Sequence, residues 1–406
     1  PKPDFVVGGN VISANNEESQ EMIRLDLPFC SLHQAMGEVI IADLDSFVIA
    51  GTHGKTTTTS LMSWVAEVCG LKPGFLIGGV PKNFSQSFRN PQARTFVIEG
   101  DEYDTAYFDK VPKFIHYKPK NVILTSVEFD HADIYKDFDA VKAAFIRLMK
   151  LIPHDGSLVY WGDDTNVKAI ANQCLVTQKF SYGFNETNSY QIKILSETEA
   201  ETKFQIYFNQ KLLSEYTTSM VGRYNILNAA AVIAQSHIQQ WPAEQVQQAL
   251  KSFQGVKRRQ DVLGEFAGVL LIEDFAHHPT AVKETIKAVQ AKYKDRRVFS
   301  VFEPRSATSR RKVFQKDYVE AFRGAHEVLI MQAFDQSKIS EDEKFSADQL
   351  VQDLVGLGVS VKLFSSADQI VEDLALRTQK NDVVLIMSNG GFDGIYEKLI
   401  NKLKSR

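Results

Sequence analysis

The stretch Gly51-Thr52-His53-Gly54-Lys55-Thr56-Thr57 carries the clearest chemistry in the sequence. Glycines let a backbone wrap phosphate oxygens, Lys55 adds a compact positive charge, and the Thr56 hydroxyl suits Mg²⁺. The spacing G-x-x-x-x-G-K-[ST] would put its first glycine at position 49, which is Ile49, so the loop is a variant. A helix-capping turn would use the same glycines, but Lys-Thr directly after Gly54 favours phosphate. Two acidic clusters follow, Glu99-Gly100-Asp101-Glu102-Tyr103-Asp104 and Glu128-Phe129-Asp130-His131. Each alone reads as a solvated loop; beside a phosphate loop they offer Mg²⁺ an oxygen-rich site, with Thr56, Glu99 and His131 as donors. Asn225 and Asn228 stand three apart on one helix face, where amides can pair with a purine edge or serve the helix end.

Three more polar clusters lie further on: Asp274-Phe275-Ala276-His277-His278-Pro279, Glu303-Pro304-Arg305-Ser306 and Ser388-Asn389-Gly390-Gly391. Arg305 has the fork that clamps carboxylates, and Gly390-Gly391 suits close backbone approach to a ligand. The pair His277-His278 has no third ligand at metal spacing.

Every one of these clusters sits just after an apolar run of strand length. Phe47–Ala50 precedes the phosphate loop, Phe96–Ile98 and Val122–Val127 precede the acidic clusters, and Val269–Ile272, Val298–Phe302 and Val383–Met387 precede the last three. Amphipathic stretches alternate with these runs, which predicts an α/β fold with mostly parallel sheets. The carboxyl ends of parallel strands share one edge, so Lys55, Glu99 and His131 converge although distant in sequence. Further strands are expected at Phe5–Val7, Val328–Met331 and Val359–Leu363, and helices at Glu17–Leu25 and Asn225–Gln239. A local antiparallel meander is expected at Tyr190–Leu195, Phe204–Phe208 and Leu212–Thr218.

The 406 residues point to more than one domain. With 46 Lys and Arg against 50 Asp and Glu, the net charge of −4 gives no general basic surface for nucleic acid or an anionic membrane, so phosphate binding must be local. Three scattered cysteines, Cys30, Cys69 and Cys174, offer no disulfide framework and fit a reducing cytoplasm. No apolar run approaches a membrane span. The boundaries fall at residues 1–45, 46–261 and 262–406, with a hinge near 262 beside the basic Lys257-Arg258-Arg259.

Taken as a set, Gly-Thr-His-Gly-Lys-Thr-Thr, Glu-Gly-Asp-Glu-Tyr-Asp, Glu-Phe-Asp-His-Ala-Asp and Asp-Phe-Ala-His-His-Pro-Thr resemble the Mur ligase family of peptidoglycan synthesis. The resemblance implies a three-domain architecture: a nucleotide-sugar domain, incomplete in residues 1–45, a central P-loop ATPase domain with a parallel sheet plus a small antiparallel one, and a C-terminal Rossmann-like domain. It implies ATP and Mg²⁺ as cofactors and formation of an amide through an acyl phosphate. Phe302-Glu303-Pro304-Arg305-Ser306 and Met387-Ser388-Asn389-Gly390-Gly391-Phe392 resemble the branch that joins UDP-N-acetylmuramate to the recycled murein tripeptide L-alanyl-γ-D-glutamyl-meso-diaminopimelate. The alternatives are the branch that takes free L-alanine, and a P-loop regulator that binds ATP without ligation. By matching position, the resemblance assigns Gly51, Thr52, His53, Gly54, Lys55, Thr56 and Thr57 to the phosphates and Thr56, Glu99 and His131 to metal. Asn225 and Asn228 fall to adenine, Arg259 to phosphate and Asp274 to ribose. Asp101, Glu102, His277, Arg305, Ser388 and Asn389 fall to the substrates, with Lys55, Glu99, His131 and Arg259 catalytic. A lysine that several members carbamylate to bridge metals has its counterpart at Phe145, with Lys142 about one helical turn earlier. The protein is expected to be cytoplasmic, a monomer or weak homodimer.

Overall fold

The computed structural model describes residues 3–406. They form two compact units, one running to Ser196 and taking in Thr202–Ser219 and Asn225–Gln254, the other comprising Glu197–Glu201, Met220–Tyr224 and Gly255–Arg406.

The first unit is built on a ten-stranded sheet. At its centre the strand Asp45–Ala50 lies between Asn121–Leu124 and Thr95–Gly100, parallel to both. Alternation decides which side chains meet which layer. Val48, Ala50, Phe96, Ile98, Val122 and Leu124 point to one face and form a core with Val141, Ala144, Phe145 and Leu148 of the helix Phe138–Leu151. Burying a side chain such as Phe145 is worth about 1.5–3 kcal/mol. The opposite parity puts Val97 and Glu99 on the other face, the side of the helix Lys55–Val68. That helix is buried nearly all round, Thr58, Thr59, Ser60 and Ser63 included. Ser60 and Ser63 donate to the carbonyls of Thr56 and Thr59 one turn back, which lets these hydroxyls leave water.

The expected meander is present as Tyr190–Glu197, Thr202–Phe208 and Lys211–Thr218, the last two pairing antiparallel. It extends the parallel sheet, joined through Tyr182 opposite Tyr190 and Gly183 opposite Gln191. Residues 6–45 contribute a two-stranded parallel sheet, Val6–Gly8 with Phe29–Ser31, and the helix Glu17–Arg24 capped by Asn16. The helix over the asparagine pair spans Arg223–Ile238.

The second unit holds a six-stranded sheet in the order Asp261–Phe266, Val269–Asp274, Val383–Met387, Val298–Phe302, Glu327–Met331, Val361–Phe364. All neighbours are parallel except Asp261–Phe266, an antiparallel edge strand with a register shift around Gly264. The three strands that precede the second unit's polar clusters are adjacent, Asp274 facing Met387 and Met387 facing Phe302. Among the described residues no helix is long and apolar enough to cross a membrane.

Candidate functional site

The phosphate loop is shaped by what lies under it. Gly51 has φ +132° and Gly54 φ +82°, both in the region that favours glycine. A β-carbon on Gly51 would lie 2.2 Å from Thr125 Oγ1 and 2.8 Å from the Ser126 backbone. Those residues hold the loop: Thr52 N donates to Ser126 O at 2.9 Å, His53 N to Ser126 Oγ at 2.9 Å, and Thr125 Oγ1 to His53 O at 2.6 Å. The Thr52 hydroxyl meets the backbone of Glu128, and His53 Nε2 lies 3.4 Å from Glu128 Oε2. Thr125 and Ser126, expected as strand, are therefore loop residues with a supporting role.

Lys55 and Thr56 open the helix, and Thr57 follows on its first turn, half-buried. Thr56 Oγ1 donates to Glu99 Oε2 at 3.0 Å, the contact that strand parity prepared, while Glu99 Oε1 accepts from Gly78 N at 2.6 Å. Lys55 Nζ donates to Gly51 O at 2.6 Å and to Glu102 Oε2 at 2.8 Å, with Asp101 Oδ1 at 3.7 Å. Burial is the strongest single influence on this amine and pulls its pKa down; Glu102 and Asp101 together outweigh it and hold the ammonium above its ordinary range. Glu102 is pushed up by burial but brought below the usual carboxylate range by Lys55 and then His131. His131, at φ +54°, turns its Nε2 to within 3.4 Å of Glu102 Oε1. Burial lowers the imidazole's pKa, yet its hydrogen bond to Glu102 raises it overall. The Tyr135 hydroxyl donates to the Glu102 carbonyl and fixes the same segment.

Lys113 completes this network and carries no sequence motif. It is buried in a short 3₁₀ turn, Lys113–His116, where Nζ donates to Asp101 Oδ2 at 3.0 Å and Tyr103 Oη at 3.1 Å and lies 4.2 Å from the Tyr103 ring centre. Burial raises the Asp101 pKa, but Lys113 and then Lys55 bring it below its ordinary value.

The amide of Asn228, buried, sits over the phosphate loop: a β-carbon on Gly54 would come within 2.5 Å of its Oδ1. Its Nδ2 is 3.5 Å from Asn225 Oδ1, so the pair shares one helix face as its spacing required. Phe145 is a core residue, and Lys142 lies over the Phe138 ring beside Asp139. Neither joins the acidic cluster.

In the second unit Asp274 closes its strand, accepting from Gln260 N and Ala276 N, both at 2.7 Å. Burial raises its pKa, opposed chiefly by Arg259. Arg259 lies 4.8 Å from the Phe275 ring centre. Its neighbour Arg258, which sequence reasoning did not single out, bonds Glu273 Oε1 at 2.7 Å and the carbonyls of Ser388 and Gly390. His277 Nδ1 is 3.0 Å from Phe275 O, and its own carbonyl accepts from the Tyr318 hydroxyl. Ser388 is buried and donates to Glu303 Oε2 at 2.5 Å; Arg305 Nη1 donates to Glu303 Oε1 at 3.3 Å. Asn389 keeps a buried Oδ1 without a hydrogen-bond partner. Gly390 does admit a close approach, but the group against it is the Arg305 side chain.

A glycine loop opening a helix and facing acidic strand ends, on an α/β scaffold, has the geometry that nucleotide phosphates require. Comparison with known proteins gives the family. The Mur ligase middle domain matches residues 49–236, and the Mur ligase, glutamate ligase domain matches residues 258–390. The chain is 35% identical to the UDP-N-acetylmuramate–L-alanyl-γ-D-glutamyl-meso-2,6-diaminoheptandioate ligase of Escherichia coli (strain K12), over 100% of this chain and 86% of that protein. It is 30% identical to a UDP-N-acetylmuramate–L-alanine ligase of Desulfitobacterium hafniense (strain Y51), over 98% and 86%. The crystal structure of a murein peptide ligase from Psychrobacter arcticus matches with a TM-score of 0.72 at 28% identity, over 100% of this chain and 86% of that one. The chain belongs to the Mur ligase family.

Proposed function

We propose that the protein is an ATP-dependent, ADP-forming ligase that joins UDP-N-acetylmuramate to the tripeptide L-alanyl-γ-D-glutamyl-meso-diaminopimelate. The meeting of Lys55, Thr56 and Glu99 under a glycine loop carries the reaction class. Whole-chain similarity to the E. coli ligase supports the substrates, ahead of L-alanine as the amine. The three-domain division at 1–45, 46–261 and 262–406 belongs to the same reading.

A carboxylate resists attack by an amine and must first acquire a leaving group. The muramate carboxylate oxygen bonds to the γ-phosphorus of ATP as the bond to ADP breaks. The peptide amine then adds to the acyl carbon, phosphate leaves, and the nitrogen loses its proton. Lys55, drawn from Glu102, holds the β- and γ-phosphates, with Gly51, Thr52, His53, Gly54 and Thr57 shaping their cradle. Thr56 and Glu99 present adjacent oxygen atoms, a donor set that fits Mg²⁺, and His131 is a donor for a second ion. Bound Mg²⁺ would supply charge neutralisation at the transferring phosphoryl group. Asn225 and Asn228 hold the adenine, Arg259 a phosphate and Asp274 the ribose, while Asp101, Glu102, His277, Arg305, Ser388 and Asn389 contact the muramate and peptide.

The test is incubation of the full-length protein with ATP, Mg²⁺, UDP-N-acetylmuramate and either tripeptide or L-alanine, with products read by mass. The tripeptide adduct is expected. An alanyl adduct alone would move the protein to the other branch, and phosphate release independent of both substrates would mark an ATP-binding regulator.

A further inference from the structure

Arg305 is less satisfied by protein acceptors than Arg297, Arg377 and Arg258 of the same unit. Arg297 bonds both oxygens of Asp382 and the Arg377 carbonyl, Arg377 pairs with Asp373 and Glu327, and Arg258 bonds Glu273 and two carbonyls. Among the described residues Arg305 has a single protein acceptor, Glu303 Oε1 at 3.3 Å, for a guanidinium with five N–H donors. Its side chain is 31% exposed. Such a group is normally floppy, yet here it is gripped. The guanidinium carbon lies 3.8 Å from the Phe334 ring centre, and Phe334 is docked by its own N–H on Pro304 O at 3.0 Å. From another side Gly390 leaves room: a β-carbon there would be 2.2 Å from Arg305 Cδ and Nε. Glu303 is buried, with the Ser388 hydroxyl and Arg305 as its partners. A buried carboxylate is costly to hold, and one long contact to a half-exposed arginine compensates it poorly. Its effect is to fix two polar groups at once.

We propose that Glu303, Phe334 and Gly390 form a slot that sets the Arg305 fork for a carboxylate of the amine substrate, with Glu303 as the positioning residue. This rests on the ligase reading above. The slot selects amines that carry a carboxylate remote from the attacking nitrogen, as the terminal residue of the tripeptide does. Gly390→Ala isolates the idea, because the φ of Gly390 lies outside the left-handed region and the three atoms nearest to the added methyl group all belong to the Arg305 side chain, which must leave its set position.

The experiment compares kcat/KM for the tripeptide with that for a tripeptide whose terminal carboxylates are amidated, in the full-length wild type, Gly390→Ala, Glu303→Gln and Phe334→Leu. Wild type should prefer the free acid by about 10- to 100-fold, the range of a charge-assisted hydrogen bond. The three variants should lose that preference through the peptide KM, with kcat and the ATP KM little changed and with unfolding midpoints near wild type for Gly390→Ala. A purely structural slot would slow both peptides equally and keep the preference, which would overturn the proposal. Wild type that uses both peptides alike would also overturn it while leaving the ligase reading intact; wild type that ligates neither peptide would remove that reading and the slot together.

Discussion

Lys55 and Arg305 both follow a parallel strand at its carboxyl end, and the protein treats the two cations in opposite ways. Lys55 is buried and closed off by Gly51 O, Glu102 and Asp101. Arg305 is half-exposed, held by contacts at its edges, and keeps most of its donors open. The difference is one of preorganisation. On the proposed function, a phosphate drawn to Lys55 would have to displace Glu102, leaving that charge against His131, whereas a carboxylate drawn to Arg305 would meet a fork already set. Keeping Lys55 charged in a dry place requires surplus carboxylates, and those require Lys113 behind them. Arg305 needs no such second layer because water still solvates it.

The comparison is broken most severely at Lys55. Lys55→Ala should lower ligation by about a thousandfold, since the developing phosphoryl charge loses its closest cation; turnover within tenfold of wild type would remove Lys55 from the mechanism. Lys113→Met should act mainly on stability. Stripping one partner from a buried pair typically costs about 3–5 kcal/mol, read as a lower urea midpoint. Adding Asp101→Asn should recover much of that loss, because no buried charge is then left alone. A Lys113→Met protein as stable as wild type would mean that Lys55 alone compensates Asp101.

The sequence made one of these sites more legible than the other. Strand runs and their terminal clusters are local patterns, so the glycine loop before a helix and the sharing of one sheet edge by the strand-end clusters could be anticipated, whereas the parity of Glu99 and the adjacency of the strands before Asp274, Glu303 and Ser388 come from the strand order. In sequence Thr125 and Ser126 look like strand because their apolar neighbours continue to Val127; in the fold the ladder stops at Leu124, and both residues brace the loop. Lys113 and Phe334 act through space from a 3₁₀ turn and from a loop, where spacing carries no signal. Gly390 was legible as a close approach but not as to which group approaches. Between Arg258 and Arg259 composition offers no choice, whereas φ +64° at Arg258 sends it to Glu273. The edge strand Asp261–Phe266 escaped notice because Gly264 interrupts its alternation.

His33 and Asp274, one in each unit, should also answer acid in opposite directions, by the smallest of these effects. In the first unit His33 is buried with Nδ1 unpartnered, and burial, reinforced by the positive charge of Lys113, lowers its pKa to about 4 from the ordinary 6.5. A folded value below the unfolded one means that the unfolded chain binds the extra proton. The stability His33 contributes is therefore complete above pH 6.5 and is lost as pH falls toward 4, by at most about 1.4 kcal/mol per pH unit. In the second unit Asp274 has its pKa raised by burial, so the folded form binds the proton more readily and acid favours it. Hydrogen exchange at pH 7 and pH 5, corrected for the intrinsic rate, should show protection falling around Ser31–Ala35 and Lys113–Tyr117 while Ile272–Ala276 holds. The variant His33→Leu should weaken the loss of protection around Lys113, because the imidazole that takes up the extra proton on unfolding is then gone. An unchanged acid response in that variant would place the proton uptake on Asp101 and Glu102, whose depressed values predict losses only at lower pH.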